Sequence, residues 1–365
     1  MMQKHRAVTL ERFEKFVSPI YFADINLRSK LVERVLPDSV LELGVQHVQG
    51  RPLFADVDKS DAAFQPCAVG DSFGPSWSTH WFVVKVQLPA EFTDVSGLML
   101  EWDCSAEALV YDAAGTPIQG LTGGDGDDRR VEVPLELLLA HSTTVYIEMS
   151  CNGLFGVGNA GMINPPDPNR TFRLASARIL APHAQGRKLW RYFELLSGMA
   201  ASLPPDSVAA ARALTSANDI VNAYRRDDAS IDRCIELAEH AVQALSNSSP
   251  LNSAFIVGHC HIDTAWLWPY AETRRKCARS WASQIALMDR YPEYKFACSQ
   301  MQQFEWYADT CIIFVLTINL GCARITRRSL HAFRKKWQPG SLSLSAEPGW
   351  RWYDHVASDT FHSRL

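Results

Sequence analysis

The spacing of hydrophobic residues changes several times along this chain, and each change predicts a different kind of structure. In residues 1–50, Leu10, Phe13, Phe16 and Val17 recur at the spacing of one helix face. The segment 27–35 is apolar enough to form a second helix. Residues 1–50 are therefore predicted to be a short helical lead-in.

Residues 51–182 have a different pattern, in which short runs of alternating apolar and polar residues are separated by clusters of glycine, proline and aspartate. Short alternating runs at this spacing predict an antiparallel β-sandwich of the jelly-roll kind. The predicted strands are 81–88, 98–104, 108–111, 130–133 and 144–149. Trp77, Trp81 and Trp102 are interpreted as core or interface residues rather than as platforms for sugars.

Helical spacing returns in residues 183–250, which we expect to be a helical connector. Ile231, Ile235, Ala238 and Val242 lie on one predicted helix face, and Pro204-Pro205-Asp206 predicts a break with a helix cap.

Beyond the connector the pattern predicts a strand at 254–258, a helix at 271–289 and a strand at 294–299. A strand–helix–strand order implies a parallel pair of strands. The predicted fold class is therefore mixed. An antiparallel sandwich and a helical connector are followed, at 251–306, by the truncated start of an irregular β/α barrel.

Composition narrows the function classes. Of the 365 residues, 47% are hydrophobic and 21% charged, and the net charge of −4 argues against a general nucleic-acid binder. The nine cysteines are scattered and odd in number, which favours reduced thiols in a cytoplasmic protein. The N-terminus lacks an apolar signal core, and the apolar run at 311–320 is shorter than the ~20 residues that span a bilayer. No membrane partner is predicted.

The candidate chemistry lies in His259-Cys260-His261-Ile262-Asp263, which follows a strand predicted to be buried. Alternate side chains of an extended segment share a face, so His259, His261 and Asp263 could hold a divalent metal such as zinc. Trp266 and Trp268 offer flat apolar rings beside them. A His-x-His pair alone is weak, because ordinary polar residues with satisfied hydrogen bonds also produce it.

This stretch, through Glu272-Thr273 and on to Cys298–Trp306, strongly resembles the class II α-mannosidases of glycoside hydrolase family 38, especially the cytosolic and vacuolar branch. The resemblance implies a retaining, zinc-dependent enzyme that removes terminal α-linked mannose from oligosaccharides. It also implies a cytoplasmic or vacuolar location and a full-length protein that is a homo-oligomer. Segments 70–77 and 115–122 resemble the sandwich of the same branch, which favours an accessory domain at 51–182.

The resemblance assigns roles to particular residues. His261 and Asp263 are metal ligands, whereas Trp266 stacks beneath the mannose ring. His259 is expected to be a neighbour of the metal and Cys260 a packed thiol. Two open alternatives concern polar residues. Glu272 either caps the next helix or contacts substrate, and Gln300, Gln302 and Gln303 either bond near the sugar or are ordinary surface residues.

The resemblance ends at Trp306, and the family's nucleophile segment, Gly-Gly-Thr-Trp-Val-Glu-Met-Asp, is not found. We therefore expect neither catalytic carboxylate here and a truncated, inactive chain. The tail 307–365 is either a divergent C-terminus or a retained intron at 307–320 followed by a frameshift. In the shifted frame, codons permitted for residues 341–352 can read Gln-Phe-Val-Pro-Val-Gly-Gly-Thr-Trp-Val-Glu-Met, which is the missing segment up to the residue before the nucleophile.

Two functions from other classes remain open at this point. One is a non-catalytic carbohydrate-binding module that uses the sandwich at 51–182. The other is an unrelated zinc hydrolase with His259, His261 and Asp263 as ligands.

Overall fold

A computed structural model gives the fold of the chain. It describes residues 5–90, 92, 95–123, 130–139, 142–157, 167–246, 256–298, 300, 302–303 and 306–307, and the backbone of 318–320 and 323–325. The tail predicted at 307–365 therefore lies outside the described residues, apart from Tyr307 and two short strands.

The described helices and strands have the following bounds. The helices are α1 (Arg6–Val17), α2 (Leu135–Leu138), α3 (Ala184–Ser202), α4 (Val208–Ala223), α5 (Asp228–Ser246) and α6 (Tyr270–Arg290). The strands are β1 (Val32–Val35), β2 (Leu41–Val48), β3 (Gln65–Pro66), β4 (Ser72–Phe73), β5 (Thr79–Val86), β6 (Met99–Asp103), β7 (Glu107–Tyr111), β8 (Pro117–Leu121), β9 (Glu132–Pro134), β10 (Thr144–Ser150), β11 (Phe172–Arg173), β12 (Ser176–Pro182), β13 (Gly258–His259), β14 (Phe296–Ala297), β15 (Ile318–Leu320) and β16 (Ala323–Ile325).

Two antiparallel sheets form the sandwich. One has the strand order β1-β12-β6-β9, and the other has the order β3-β2-β5-β10-β7-β8. Apolar side chains from both sheets fill the space between them, and the rings of Phe82 and Trp102 meet there with centroids 4.9 Å apart. All five strands predicted in this region are confirmed, with ends that shift by a few residues.

The predicted second helix at 27–35 is wrong. Leu27–Lys30 forms one 3-10 turn, and Val32–Val35 is strand β1, which pairs with β12. Residues 41–48 also alternate, and strand β2 pairs with β5 along its whole length. The sandwich therefore begins before residue 51, because pairing with strands more than 30 residues away outweighs the weak helical pattern of 27–35.

The central strands of the six-stranded sheet, β5, β7 and β10, are mostly buried on both faces. Along β10, Ile147 and Met149 point into the sandwich, whereas Tyr146 and Glu148 point to the opposite side. Helix α6 covers that opposite side. Because side chains alternate along a strand, the two faces of one sheet belong to two separate packing regions.

The predicted connector folds as three helices that pack with α1. Leu189 and Phe193 of α3 recur at helical spacing and are fully buried. Phe16 of α1 contacts Phe193 edge-on, with ring centroids 4.8 Å apart. The break at 204–206 is confirmed, but the cap is Ser207, whose hydroxyl accepts a hydrogen bond from the Ala210 amide at 3.1 Å.

The strand–helix–strand unit after the connector is confirmed, since β13 and β14 pair in parallel and α6 connects them. The strand before the motif was expected to be buried, but Ile256 is 90% exposed and Val257 is 52% exposed. In the described part of the chain, β14 is the one strand paired with β13. Whether this unit begins a barrel stays a prediction.

Candidate metal and sugar site

His261 and Asp263 converge on a short loop that follows β13. The Nε2 atom of His261 lies 3.0 Å from Oδ1 of Asp263. Their side chains are 70% and 44% exposed, so a ligand from solvent can reach both. An imidazole nitrogen and a carboxylate oxygen are donors that zinc accepts, and the pair fits such an ion as part of its ligand set.

His259 does not complete a three-ligand site. Strand β13 ends at His259, so the alternation expected across His259, His261 and Asp263 is interrupted by the loop. The described residues contain no group of three or more His, Cys, Asp or Glu side chains that could hold a metal. The alternative of an unrelated hydrolase with these three ligands is therefore not supported.

One hydroxyl, that of Thr273 on α6, holds the loop that carries the candidate ligands. Its Oγ1 accepts hydrogen bonds from the Ala265 amide at 2.9 Å and from the Trp268 indole at 3.1 Å. It also donates to the carbonyl of Asp263 at 3.4 Å. Thr273 is fully buried, so loss of the hydroxyl would leave two donors unsatisfied.

The two tryptophans of the motif have different environments. Trp268 is buried, and the ammonium group of Lys276 lies 4.5 Å from the centre of its ring. Trp266 is 46% exposed and meets Trp268 edge-on, with centroids 5.6 Å apart. Ala265, just before it, has φ of 55°, a conformation that lets the loop turn sharply. Trp266 thus presents ring surface on the same loop as His261 and Asp263.

The glutamine-rich segment 300–303 contacts the loop that carries His261 and Asp263. Gln303 is buried, and its amide nitrogen donates to the Ile262 carbonyl at 3.4 Å and to the Gln300 side chain at 3.0 Å. Its oxygen accepts from the thiol of Cys298 at 3.5 Å. For Gln303, therefore, the surface alternative is wrong, because the side chain is buried, and a role near the sugar stays a prediction.

Glu272 neither caps α6 nor faces the loop surface. Its carboxylate is fully buried and pairs with the guanidinium groups of Arg279 and Arg275, the latter at 3.3 Å. It also accepts a hydrogen bond from Ser150 of β10 at 3.1 Å. Both sequence alternatives for Glu272 are wrong, because its partners lie on the next turns of α6 and on the sandwich.

Glu272 belongs to an ion cluster at the contact between α6 and the sandwich. Lys276 pairs with Glu107 at 2.6 Å, Arg279 with Glu107 at 3.0 Å, and Arg275 with Glu148 at 2.7 Å. The ion cluster, defined as Glu107, Glu148, Glu272, Arg275, Lys276 and Arg279, has three carboxylates and three cations, all buried. Opposite charges balance, which is the condition under which buried charges are tolerated.

The cluster determines the protonation state of Glu272. Burial by itself raises the pKa of this carboxyl, but Arg279 and Arg275 outweigh burial and lower the pKa from 4.5 to about 2. Glu272 is therefore ionised at neutral pH and serves as an anchor for α6.

Comparison with known proteins places this arrangement in a family. The family model for the alpha-mannosidase jelly roll domain matches residues 38–180, and that for the glycosyl hydrolases family 38 N-terminal domain matches 252–311. The chain belongs to glycosyl hydrolase family 38. The first match begins at 38, in agreement with a sandwich that includes β2, and the second reaches slightly past Trp306.

Curated relatives of this family member are alpha-mannosidases. Alpha-mannosidase G of Dictyostelium discoideum is 38% identical over 309 residues, which cover 84% of this chain and 28% of the relative. Alpha-mannosidase 2C1 of Homo sapiens is 40% identical over 304 residues, 83% of this chain and 29% of the relative. Alpha-mannosidase of Saccharomyces cerevisiae is 41% identical over 261 residues, which cover 68% of this chain and 24% of the relative. The chain thus spans less than a third of each relative.

The interpretation of the sandwich tryptophans is confirmed. Trp81 and Trp102 are completely buried, and Trp77 is partly buried beside the contact with α6. None of the three offers the open ring face that an independent carbohydrate-binding module would need. The partly buried thiol of Cys260 packs against the same contact, as expected.

Two residues that hold the loop have no distinctive signal in the sequence. Thr273 and Gln303 lie within the segments that carry the resemblance, but their spacing from Asp263 gives no hint of contact. Lys276 of the ion cluster is likewise part of an ordinary polar stretch, Arg274-Arg275-Lys276. Only contacts across the fold reveal these roles.

Proposed function

We propose that this chain supplies part of the active site of a zinc-dependent α-mannosidase, which removes terminal α-linked mannose from oligosaccharides with retention of configuration. The observation that carries the proposal is the convergence of His261 Nε2 and Asp263 Oδ1 to 3.0 Å, on the loop that also carries the 46% exposed Trp266. This pair lies in the segment that matches the family 38 N-terminal domain.

In the proposed enzyme, His261 and Asp263 are two of the ligands of a divalent ion. Such an ion would hold hydroxyl groups of the terminal mannose and favour the ring distortion that precedes bond cleavage. The residues of this chain position the sugar. Trp266 packs against its apolar C–H face, and Thr273 fixes the loop so that ring and ligands keep their relative places.

Retaining hydrolysis also needs two carboxyl groups about 5–5.5 Å apart, one as nucleophile and one as acid and base. We assign neither to a residue of this chain, and we propose that the chain alone binds the ion weakly and does not hydrolyse mannosides.

A cytoplasmic or vacuolar location and a homo-oligomeric full-length enzyme are part of the same proposal. The seven cysteines among the described residues are all free thiols, which agrees with a reducing compartment. No helix in the described part of the chain is both long and apolar enough to cross a membrane.

The test is zinc binding to the purified 365-residue chain by calorimetric titration, together with an assay on an aryl α-mannoside. His261→Ala and Asp263→Ala should each weaken zinc binding at least about tenfold, since each removes one ligand. His240→Ala, at an exposed position on α5, should leave it unchanged. Equal zinc affinity in the two site variants and in the His240→Ala control would reject the site.

For the tail we propose that 307–320 is translated intron and that the following residues are read in a shifted frame. The support is that codons permitted for residues 341–352 can spell the family segment in that frame, up to the residue before the nucleophile. Sequencing the spliced transcript across codons 300–365 tests this, and a transcript that encodes the tail without an alternative splice form would contradict it.

A further inference from the structure

Two exposed aromatic rings from different parts of the chain meet at the edge of the candidate site. Phe155, on the sandwich loop after β10, is 64% exposed, and Trp266 is 46% exposed. Their ring centroids are 6.4 Å apart and their planes are nearly perpendicular, at 88°. Exposed large aromatic side chains that touch one another often mark a binding surface.

The loop that carries Phe155 is held in place at several points. The amides and carbonyls of Gly153 and Gly156 bond to each other across the turn, at 3.0 and 2.9 Å. The Asn152 side chain donates to Glu107 at 2.7 Å. Lys276 of α6 donates to the Leu154 carbonyl at 2.8 Å. The position of Phe155 is thus set by the same ion cluster that anchors α6.

Gly156 allows this loop to lie directly against the loop of the candidate site. It has φ of +80°, and a Cβ atom at this position would lie 2.1 Å from the Leu267 carbonyl oxygen. Any larger residue would push the two loops apart. The close approach places Phe155 beside Trp266 rather than on a separate part of the sandwich surface.

We propose that Phe155 contacts the sugar that follows the terminal mannose, so that the sandwich contributes a specificity-determining residue to the site. The inference rests on the proposed function. Both side chains are exposed and their ring centroids lie 6.4 Å apart, so two linked sugar rings can each pack on one of them. One sugar packs on Trp266, beside His261 and Asp263, and the next packs on Phe155.

The sandwich is then neither an independent sugar-binding module nor a purely structural support. Its tryptophans are buried or partly buried, but Phe155, on the loop after β10, reaches the site. The proposed ligand is an α-linked mannose disaccharide or a longer chain, because a single mannose occupies only the Trp266 side.

The test compares a methyl α-mannoside with a methyl α-mannobioside, each titrated into the full chain with zinc present, with tryptophan fluorescence and ligand NMR as readouts. Phe155→Ala should raise the Kd of the mannobioside about three- to tenfold, which is the loss expected for one aromatic contact. The Kd of the monosaccharide should stay unchanged. Phe155→Tyr keeps the ring and should retain the affinity, and Leu154→Ala, on the same loop, is the matched control.

Each other outcome overturns a defined part of the argument. Unchanged mannobioside binding in Phe155→Ala, in a chain that binds both sugars, rejects the role of Phe155 and leaves the proposed function intact. Equal loss for both sugars shows that Phe155 acts by holding Trp266, which also rejects the disaccharide contact. Self-association that Phe155→Ala abolishes in sedimentation would assign the rings to a protein contact. Binding of neither sugar by the unsubstituted chain overturns the proposed function together with this inference.

Discussion

The two faces of the six-stranded sheet differ in chemistry although they are built from the same strands. The face inside the sandwich carries only apolar side chains along β10, among them Ile147 and Met149, and packs on the four-stranded sheet. The face toward α6 carries Tyr146 and Glu148 from the same strand. The inner face therefore stabilises the fold by apolar burial alone. The outer face also contains buried charges, which need oppositely charged partners.

The difference determines what each face can specify. An apolar contact stabilises through the apolar area that it buries. Because the hydrophobic effect is non-directional, such a contact tolerates small shifts of one element relative to another. The ion cluster does not tolerate slips, since a shift of α6 by one turn would leave buried charges unpaired. The charged face thus fixes the position of α6 and, through Thr273 at its start, the loop that carries His261 and Asp263.

The substitution with the largest expected effect on the charged face is Glu272→Ala. Removal of one partner leaves Arg279 and Arg275 buried without their shared carboxylate, so we expect a loss of about 3–5 kcal/mol in the free energy of unfolding. Denaturant unfolding measures it. Glu42→Ala, at an exposed strand position, should change stability by less than about 0.5 kcal/mol. Comparable losses in the two variants would show that the cluster has no special role.

Acid should weaken the charged face before the apolar one. The pKa of Glu272 is about 2 in the folded chain and 4.5 ordinarily, so folding favours the ionised form. Its contribution is present above pH 4.5 and is lost as the pH falls toward 2, by about 3 kcal/mol in all. Unfolding curves from pH 6 to pH 2 measure this loss, and Glu272→Gln should flatten that part of the profile. An unchanged slope in Glu272→Gln would contradict the assignment.

Thr273→Val tests whether the hydroxyl at the start of α6 holds the loop of the candidate site. Valine keeps the shape but removes the hydroxyl, which leaves the Ala265 amide and the Trp268 indole without their acceptor. We expect a loss of about 1–3 kcal/mol in stability and weaker zinc binding, with both restored in Thr273→Ser. Amide exchange at Ala265 gives a local readout. Slow exchange at Ala265 in Thr273→Val would show that another group holds the loop.

The smallest expected effect is that of Ile147→Val on the apolar face. Loss of one buried methylene should cost about 0.5–1.5 kcal/mol in the free energy of unfolding. Zinc affinity should remain that of the unsubstituted chain, because the change lies on the side of the sheet away from α6. A fall in zinc affinity here, measured by the same calorimetric titration, would mean that the two faces are coupled.

Much of the fold follows from spacing along the chain. Alternation located the five predicted strands of the sandwich, and helical spacing located α1 and the connector helices. The helix predicted at 27–35 was wrong because the helical pattern there is weak and the strand that pairs with it, β12, lies far along the chain. The prediction that the strand before His259 is buried was wrong for a related reason. Exposure of Ile256 depends on which strands lie beside β13, and the local sequence does not determine that.

The candidate site divides in the same way. The sequence determined the contact between His261 and Asp263, the proposed metal ligands, since they are two residues apart and local geometry alone brings them together. It also carried the family resemblance. The tertiary structure alone decided that Glu272 is a buried anchor and that Phe155 lies beside Trp266. These residues are more than 100 positions from their partners Ser150 and Trp266, and only the packing of α6 on the outer face of the sheet brings them into contact.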